Sequence, residues 1–228
     1  MFTPGTLFTP ATNLNDPDLY VAYNFDDLNG SDNAIDLSNN DRTGVPVSGS
    51  IADLQVTGFD RQAIEMNSTN VEISNTLSVD QTDFSVGFRL RVESTPSLAT
   101  NTIYKLVDWS LGTNKNGSVG FYTQPADATD IRMSFRADFP VSQSILSSAG
   151  LSFGSWIYLT YVFEPNLVRF YLNGSLRTST SRTGTMSLGS VRLLQQNNSK
   201  IDNFRIFTRA LNAAEISSLV SEGVMGTI

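Results

Sequence analysis

The chemistry open to this chain begins in one acidic loop. Between Asn24 and Asp41 it reads NFDDLNGSDNAIDLSNND, with five aspartates, five asparagines, two serines and a single glycine. Carboxylates and amide carbonyls at this density are hard oxygen ligands of the kind Ca²⁺ takes. The same residues form Asx hydrogen bonds to their own backbone, so the stretch is also an ordinary polar turn. An EF-hand is excluded, because the D-x-D-x-D-G run and the glutamate at its twelfth position are missing.

A second chemistry is offered by arginine, which outnumbers lysine twelve to three. Arg89, Arg91, Arg132, Arg136, Arg169 and Arg192 fall at outward strand positions, where guanidinium forks can take the carboxylate or sulfate of an acidic glycan. Trp109, Tyr122 and Tyr171 can stack on sugar rings beside them. The alternative is that these arginines pair with aspartates and discourage edge pairing. Five N-x-S/T sequons, at Asn29, Asn67, Asn116, Asn173 and Asn197, read as Asn-Ser-rich turns.

Composition removes other chemistries. The chain has no histidine and no cysteine, which excludes Ser-His-Asp and Cys-His nucleophiles, His-ligated zinc, iron–sulfur clusters and disulfides. An enzyme built from this chain must use carboxylates, Tyr, Lys or a hard cation. A net charge of -7 argues against nucleic acid as a partner. The absence of an apolar run near 18 residues predicts no membrane span. The opening MFTPGTLFTPAT has neither a basic nor an apolar signal region, so no signal peptide is visible.

The elements that must position these residues are strands. DFSVGFRLRV turns Phe84, Val86, Phe88, Leu90 and Val92 inward, and IRMSFRA does the same with Ile131, Met133 and Phe135. IYLTYVF at 157–163 is apolar on both faces. LVRFYLNGSLRTS carries an Asn173-Gly174 pair that predicts a type I′ hairpin. Further strands are expected at 63–73, 103–109, 118–123, 190–195 and 201–207. At least ten short strands predict an all-β fold, a two-sheet antiparallel jelly-roll sandwich. One helix is expected near the end, with Asn212 as cap, Glu215 completing a capping box, Ile216, Leu219 and Val220 as its apolar stripe and Gly223 as its stop. Residues 1–18 read as an extended N-terminal arm ahead of a domain over 19–228. The arm carries FTP twice, and Phe2, Pro4, Leu7, Phe8 and Pro10 make it an assembly segment that packs either on its own sandwich or on a neighbouring subunit. The second arrangement implies a homo-oligomer or a larger assembly.

Four stretches, in this order and spacing, resemble the laminin-G-like, concanavalin A-like lectin/glucanase superfamily. They are LYVAYNFDD with D-x-S-N-N at 36–40, QAIEMNSTNVEIS, SWIYLTYVFEPNLVRFYLNGSLRTS and KIDNFRIFTRALNAAEISSL. The resemblance covers 19–223, although Asn67 stands where a glycine is common and the loop after Asp36 lacks its glycine. It implies a jelly roll used for glycan or protein recognition, often with Ca²⁺. It also implies that the first and last strands lie side by side, bringing Asp26, Asp36 and Asp202 together as an oxygen cage. The catalytic Glu-x-Asp-x-Glu strand of the glucanases is absent. The expectation is therefore a non-enzymatic, lectin-like surface subunit with glycan binding. It would be a structural, decoration or adhesion component of a virion or other extracellular assembly. The alternatives are a free secreted Ca²⁺-dependent carbohydrate-binding module and, through an unfamiliar Asp pair, a glycan-cleaving enzyme.

Overall fold

The computed structural model describes residues 14–47, 49–65, 71–73, 79–81, 83–93, 103–111, 118–123, 131–137, 142–148, 154–182, 186–188, 190–193 and 199–222. The backbone alone is described at 71–73, 79–81, 103–105, 109–111, 121–123, 131–137, 142–148, 186–188 and 190. The strands in the first half are Leu19–Tyr23 (β1), Gly44–Pro46 (β2), Gln55–Thr57 (β3), Gln62–Glu65 (β4), Val71–Ile73 (β5), Val79–Gln81 (β6), Phe84–Val92 (β7), Ile103–Leu111 (β8) and Ser118–Thr123 (β9). The second half adds Ile131–Ala137 (β10), Ser142–Ser148 (β11), Ile157–Glu164 (β12), Leu167–Leu172 (β13), Ser175–Ser181 (β14), Met186–Leu188 (β15), Ser190–Leu193 (β16) and Ser199–Phe207 (β17). A single α-helix among the described residues, Ala213–Ser221 (α1), follows.

Two antiparallel sheets form the sandwich. One runs β14-β13-β12-β7-β17-β4-β3, with β1 also paired to β17; the other runs β11-β10-β9-β8-β16-β5-β2. Alternation along β7 and β12 puts Phe84, Phe88, Leu90, Leu159, Tyr161 and Phe163 into the layer between them, all of them buried. Phe84 and Phe163, directly opposite in register, stack with centroids 4.2 Å apart. Burying each such ring contributes about 1.5–3 kcal/mol.

IYLTYVF is apolar on both faces because both are covered. Tyr158 and Val162 point away from the inter-sheet core and pack with Tyr171, Phe207, Leu211, Ile216 and Leu219 under α1. The helix starts as its sequence predicts: the Asn212 side chain accepts from the N–H groups of Ala214 and Glu215, and the Glu215 side chain accepts from that of Asn212. The helix ends at Ser221, and Gly223 lies outside the described residues. The hairpin turn is also as expected, with φ of +49° at Asn173 and +78° at Gly174.

One expectation needs correction. The strand expected over 63–73 is two strands, and β4 and β5 belong to different sheets. Period-two alternation cannot show that a chain crosses between layers. Of the arm expected over 1–18, residues 14–18 are described, and they lie on the sandwich: Leu14 packs against the cluster under α1, and Arg209 Nη2 donates to Asp16 Oδ2 at 2.7 Å. Phe2, Pro4, Leu7, Phe8 and Pro10 lie outside the described residues.

Candidate functional site

The acidic loop is built against β1. Strand β1 pairs with β17 on one side, and on its other side the loop supplies hydrogen bonds from alternate residues. Asp36 Oδ1 accepts from the N–H of Ala22 at 2.9 Å, and the N–H of Leu37 donates to the Ala22 carbonyl at 2.8 Å. The single Ser38 hydroxyl proton is shared between Asp36 Oδ2 at 2.7 Å and the Tyr20 carbonyl at 3.4 Å, while Asn40 Nδ2 donates to the carbonyls of Leu19 and Tyr20, and Arg42 Nη1 to that of Tyr20. Asp36 also accepts from the Ser38 N–H, the Ser38 hydroxyl and the Arg42 N–H. Residues 36, 38, 40 and 42 thus act as a strand made of side chains, satisfying an edge that would otherwise be open.

This arrangement overturns the expected cage. Both oxygens of Asp36 are spent on the loop and on β1, and no group of three acidic side chains able to hold a metal ion occurs among the described residues. The donor set at Asp26, Asp36 and Asp202 therefore does not fit Ca²⁺. The two outer members both bond to the turn between β3 and β4. Asp26 Oδ1 accepts from the N–H of Gln62 at 2.8 Å, and Oδ2 pairs with Arg61 Nη2 at 3.0 Å. Asp202 Oδ2 accepts from the N–H of Phe59 at 2.9 Å, and Oδ1 from that of Asn203 at 2.7 Å. Asp202 fastens the turn between β3 and β4 to the start of β17, and Asp26 fastens it to the segment after β1.

Asp202 is 2% exposed. Burial pushes its carboxyl up to about 6; the N–H groups of Phe59 and Asn203 oppose the rise, the Asp26 charge adds to it and Arg89 opposes it. Burial likewise raises Asp26. A carboxyl raised in the folded state binds its proton more tightly there than in the unfolded chain, so its contribution to stability is greatest at low pH. That contribution falls as pH rises from the ordinary aspartate value of about 3.9 toward 6, and is constant above. Denaturant unfolding between pH 4 and 6.5 is expected to show this loss in the native protein and a shallower slope in Asp202→Asn. In that variant Asp26 adds a loss of the same sign, set against the opposite slopes of Asp16, Glu93 and Glu215, whose carboxyls are held low. An unchanged slope would remove Asp202 as its source.

Among the residues expected to bind ligand, Tyr171 requires correction. It is 6% exposed and packs under α1, so its ring does not reach a sugar. Alternation along β13 does turn Tyr171 outward, but the outer face at that point carries another layer. Arg132 stands directly opposite Tyr122 in the β9–β10 register, and Arg136 opposite Ser118. These three positions therefore share one patch of the seven-stranded sheet. Trp109 lies in β8, on the far side of β9 from Arg132 and Arg136. The side chains of Trp109, Tyr122, Arg132 and Arg136 are outside those described. Arg91 pairs with Glu93, and Arg169 with Glu164, which is the structural use of outward arginines.

The residues that sequence reasoning missed surround Arg89. Its side chain leaves the outer face of β7 but is 3% exposed, because the β3–β4 turn and the end of α1 close over it. The guanidinium lies 3.5 Å from the Phe59 ring centroid, and Nη2 donates to the carbonyls of Val220 and Glu222 at 2.6 Å each. Phe59 in turn meets Trp156 edge to face, with centroids 6.3 Å apart. The only sequence signal was an apolar Phe in a Gly-Phe-Asp-Arg turn.

Residues 65–217 match the family described as the concanavalin A-like lectin/glucanases superfamily. The chain belongs to this superfamily. No curated protein sequence matches it. Among solved structures, this laminin-G-like chain is similar to the binding domain of Paraclostridial Mosquitocidal Protein 1, with a TM-score of 0.68 and 19% identity, covering 89% of this chain and 52% of that one. It is also similar to Domain 4 of AbnA, a GH43 extracellular arabinanase from Geobacillus stearothermophilus, in complex with arabinotriose. There the TM-score is 0.65 at 19% identity, covering 90% of this chain and 98% of that one. A third similar structure is the botulinum neurotoxin serotype D ligand binding domain in complex with N-acetylneuraminic acid. It has a TM-score of 0.64 and 14% identity, covering 89% of this chain and 50% of that one. The laminin-G-like chain thus spans about half the length of the toxin domains and matches the arabinanase domain nearly end to end. At these identities the likeness is one of fold.

Proposed function

We propose that this chain is a non-enzymatic, lectin-like subunit that binds glycan at the surface of a virion or other extracellular assembly, as a structural, decoration or adhesion component. The observation that carries glycan binding is the end-to-end likeness to an arabinanase domain holding arabinotriose. The likeness to a toxin domain holding N-acetylneuraminic acid supports acidic sugars as a further ligand class. The patch at Tyr122, Arg132 and Arg136 is the place for an acidic sugar, through stacking and guanidinium forks. The absence of a Glu-x-Asp-x-Glu strand supports a binding role rather than a hydrolytic one. Assembly rests on the apolar residues of the first dozen positions, Phe2, Leu7 and Phe8.

The test has two arms. A glycan array with neutral arabino-oligosaccharides and sialylated glycans is expected to give saturable binding, and Arg132→Ala with Arg136→Ala to abolish the sialylated part. Removing residues 1–12 is expected to leave glycan binding intact and to lower the oligomeric mass, or incorporation into particles. Unchanged assembly with retained binding favours a free carbohydrate-binding module instead, the reading to which the arabinanase domain lends weight. No binding to any glycan overturns both.

A further inference from the structure

The turn between β3 and β4 is held with more force than a surface connection needs. Gly58 donates its N–H to the carbonyl of Arg61 at 3.0 Å, and a Cβ at Gly58 would lie 2.5 Å from the backbone of Gln62, so only glycine closes the turn. Phe59 is pinned by its N–H to the buried carboxylate of Asp202, and Gln62 by its N–H to Asp26. Burying a carboxylate to fix an exposed turn costs stability and yields rigidity. A recognition loop needs that rigidity, since its contacts must be positioned before the ligand arrives.

What the turn presents is an aromatic corner. Ile157, Leu90, Ile201 and Ile64 are buried neighbours across the sheet. Trp156, one residue from Ile157, therefore belongs to the opposite, outer face, beyond the end of α1. Phe59 and Trp156 are both half-buried, with ring planes 80° apart, and the guanidinium of Arg89 backs the Phe59 ring. In the same turn, two residues beyond Phe59, the Arg61 side chain is 66% exposed and paired with Asp26, and Asp60 is exposed.

We propose that Phe59, Arg61 and Trp156 form a second saccharide platform, on the outer face of the eight-stranded sheet, that takes a neutral sugar ring. Two rings at right angles clasp the apolar C–H faces of a pyranose or furanose, and the Arg61–Asp26 pair meets its hydroxyls with both donors and acceptors. The pair carries no net charge and Asp60 adds a negative one, so a sugar carboxylate finds no unbalanced cation here. This platform is distinct from the patch at Tyr122, Arg132 and Arg136 on the other sheet. The choice of ligand rests on the glycan-binding reading above, whereas the location does not.

The chain has two tryptophans, so Trp109→Phe leaves Trp156 as the sole indole reporter. Arabinotriose, xylotriose and maltotriose are titrated into that protein while Trp156 emission is followed, and into the native protein by calorimetry, which alone decides whether any saccharide binds. At least one of the three is expected to shift the emission saturably. Phe59→Ala and Arg61→Ala are each expected to weaken that binding by about tenfold. Arg61 is exposed enough for its variant to fold, and equal melting temperatures check this. Neutral saccharide binding of the same strength in both variants overturns the platform and leaves the glycan reading standing. Binding of sialylated glycans alone does the same. No binding to any saccharide, neutral or acidic, overturns both.

Discussion

Replacing Asp36 by alanine is expected to destabilise the fold by about 3 kcal/mol, and by the same amount in EDTA and in millimolar Ca²⁺. The carboxylate accepts four hydrogen bonds, from the N–H groups of Ala22, Ser38 and Arg42 and from the Ser38 hydroxyl. Ala22 lies in a fully buried strand, so its N–H has no route to water. Each buried donor left without an acceptor costs about 1–3 kcal/mol, and the Ser38 and Arg42 donors are partly resolvated. Asp36→Asn should cost about half as much, because one carbonyl oxygen can still serve Ala22 and Ser38 while the amide faces the Arg42 N–H. Urea unfolding with and without Ca²⁺ makes the measurement. A native protein whose melting temperature rises with Ca²⁺, together with an Asp36→Ala variant that loses that rise, would restore the metal cage.

The second large effect lies at Arg89. Its replacement by alanine is expected to cost about 3–5 kcal/mol, the range found when one partner of a buried charged network is removed. Three things are lost together: the two short hydrogen bonds to the carbonyls of Val220 and Glu222, the cation over Phe59, and a positive neighbour for Asp202. Arg89 donates to two carbonyls at the end of α1, so without it the last helical turn is expected to loosen first. Hydrogen exchange at Leu219 and Val220 should therefore accelerate more than exchange in β12. Arg89→Lys keeps the charge but cannot span both carbonyls with a planar fork, and should recover less than half of the loss. An Arg89→Ala variant within 1 kcal/mol of the native protein would show that the clamp adds little.

These two side chains also mark where sequence reading succeeded and where it stopped. The alternation in β7 and β12, the Asn173-Gly174 turn and the Asn212–Glu215 capping box depend on neighbours within a few residues, and each stands as expected. Alternation assigned Arg89 and Tyr171 to outer faces correctly. It cannot report whether a further layer covers an outer face, and here α1 and the β3–β4 turn do. Asp36, Ser38, Asn40 and Arg42 repeat with a period of two as well. The repeat was legible but lay in polar residues, where strand periodicity is not usually sought. The aromatic corner was hidden for another reason, since Phe59 and Trp156 are far apart in sequence and meet only through the pairing of β4, β17, β7 and β12.

The bulge between Asp202 and Arg205 lets β17 pair with β4 before Asn203 and with β1 after it, while its other edge pairs with β7. Leu19 meets Phe207 across that ladder. During synthesis, then, the apolar LYVAY segment and the centre of the larger sheet wait until residues 199–207 have left the ribosome. Loop closure over such a separation is entropically expensive and slow. A polypeptide stopped before residue 199 lacks the strand that three others require, and should remain an open, aggregation-prone chain rather than a smaller working domain.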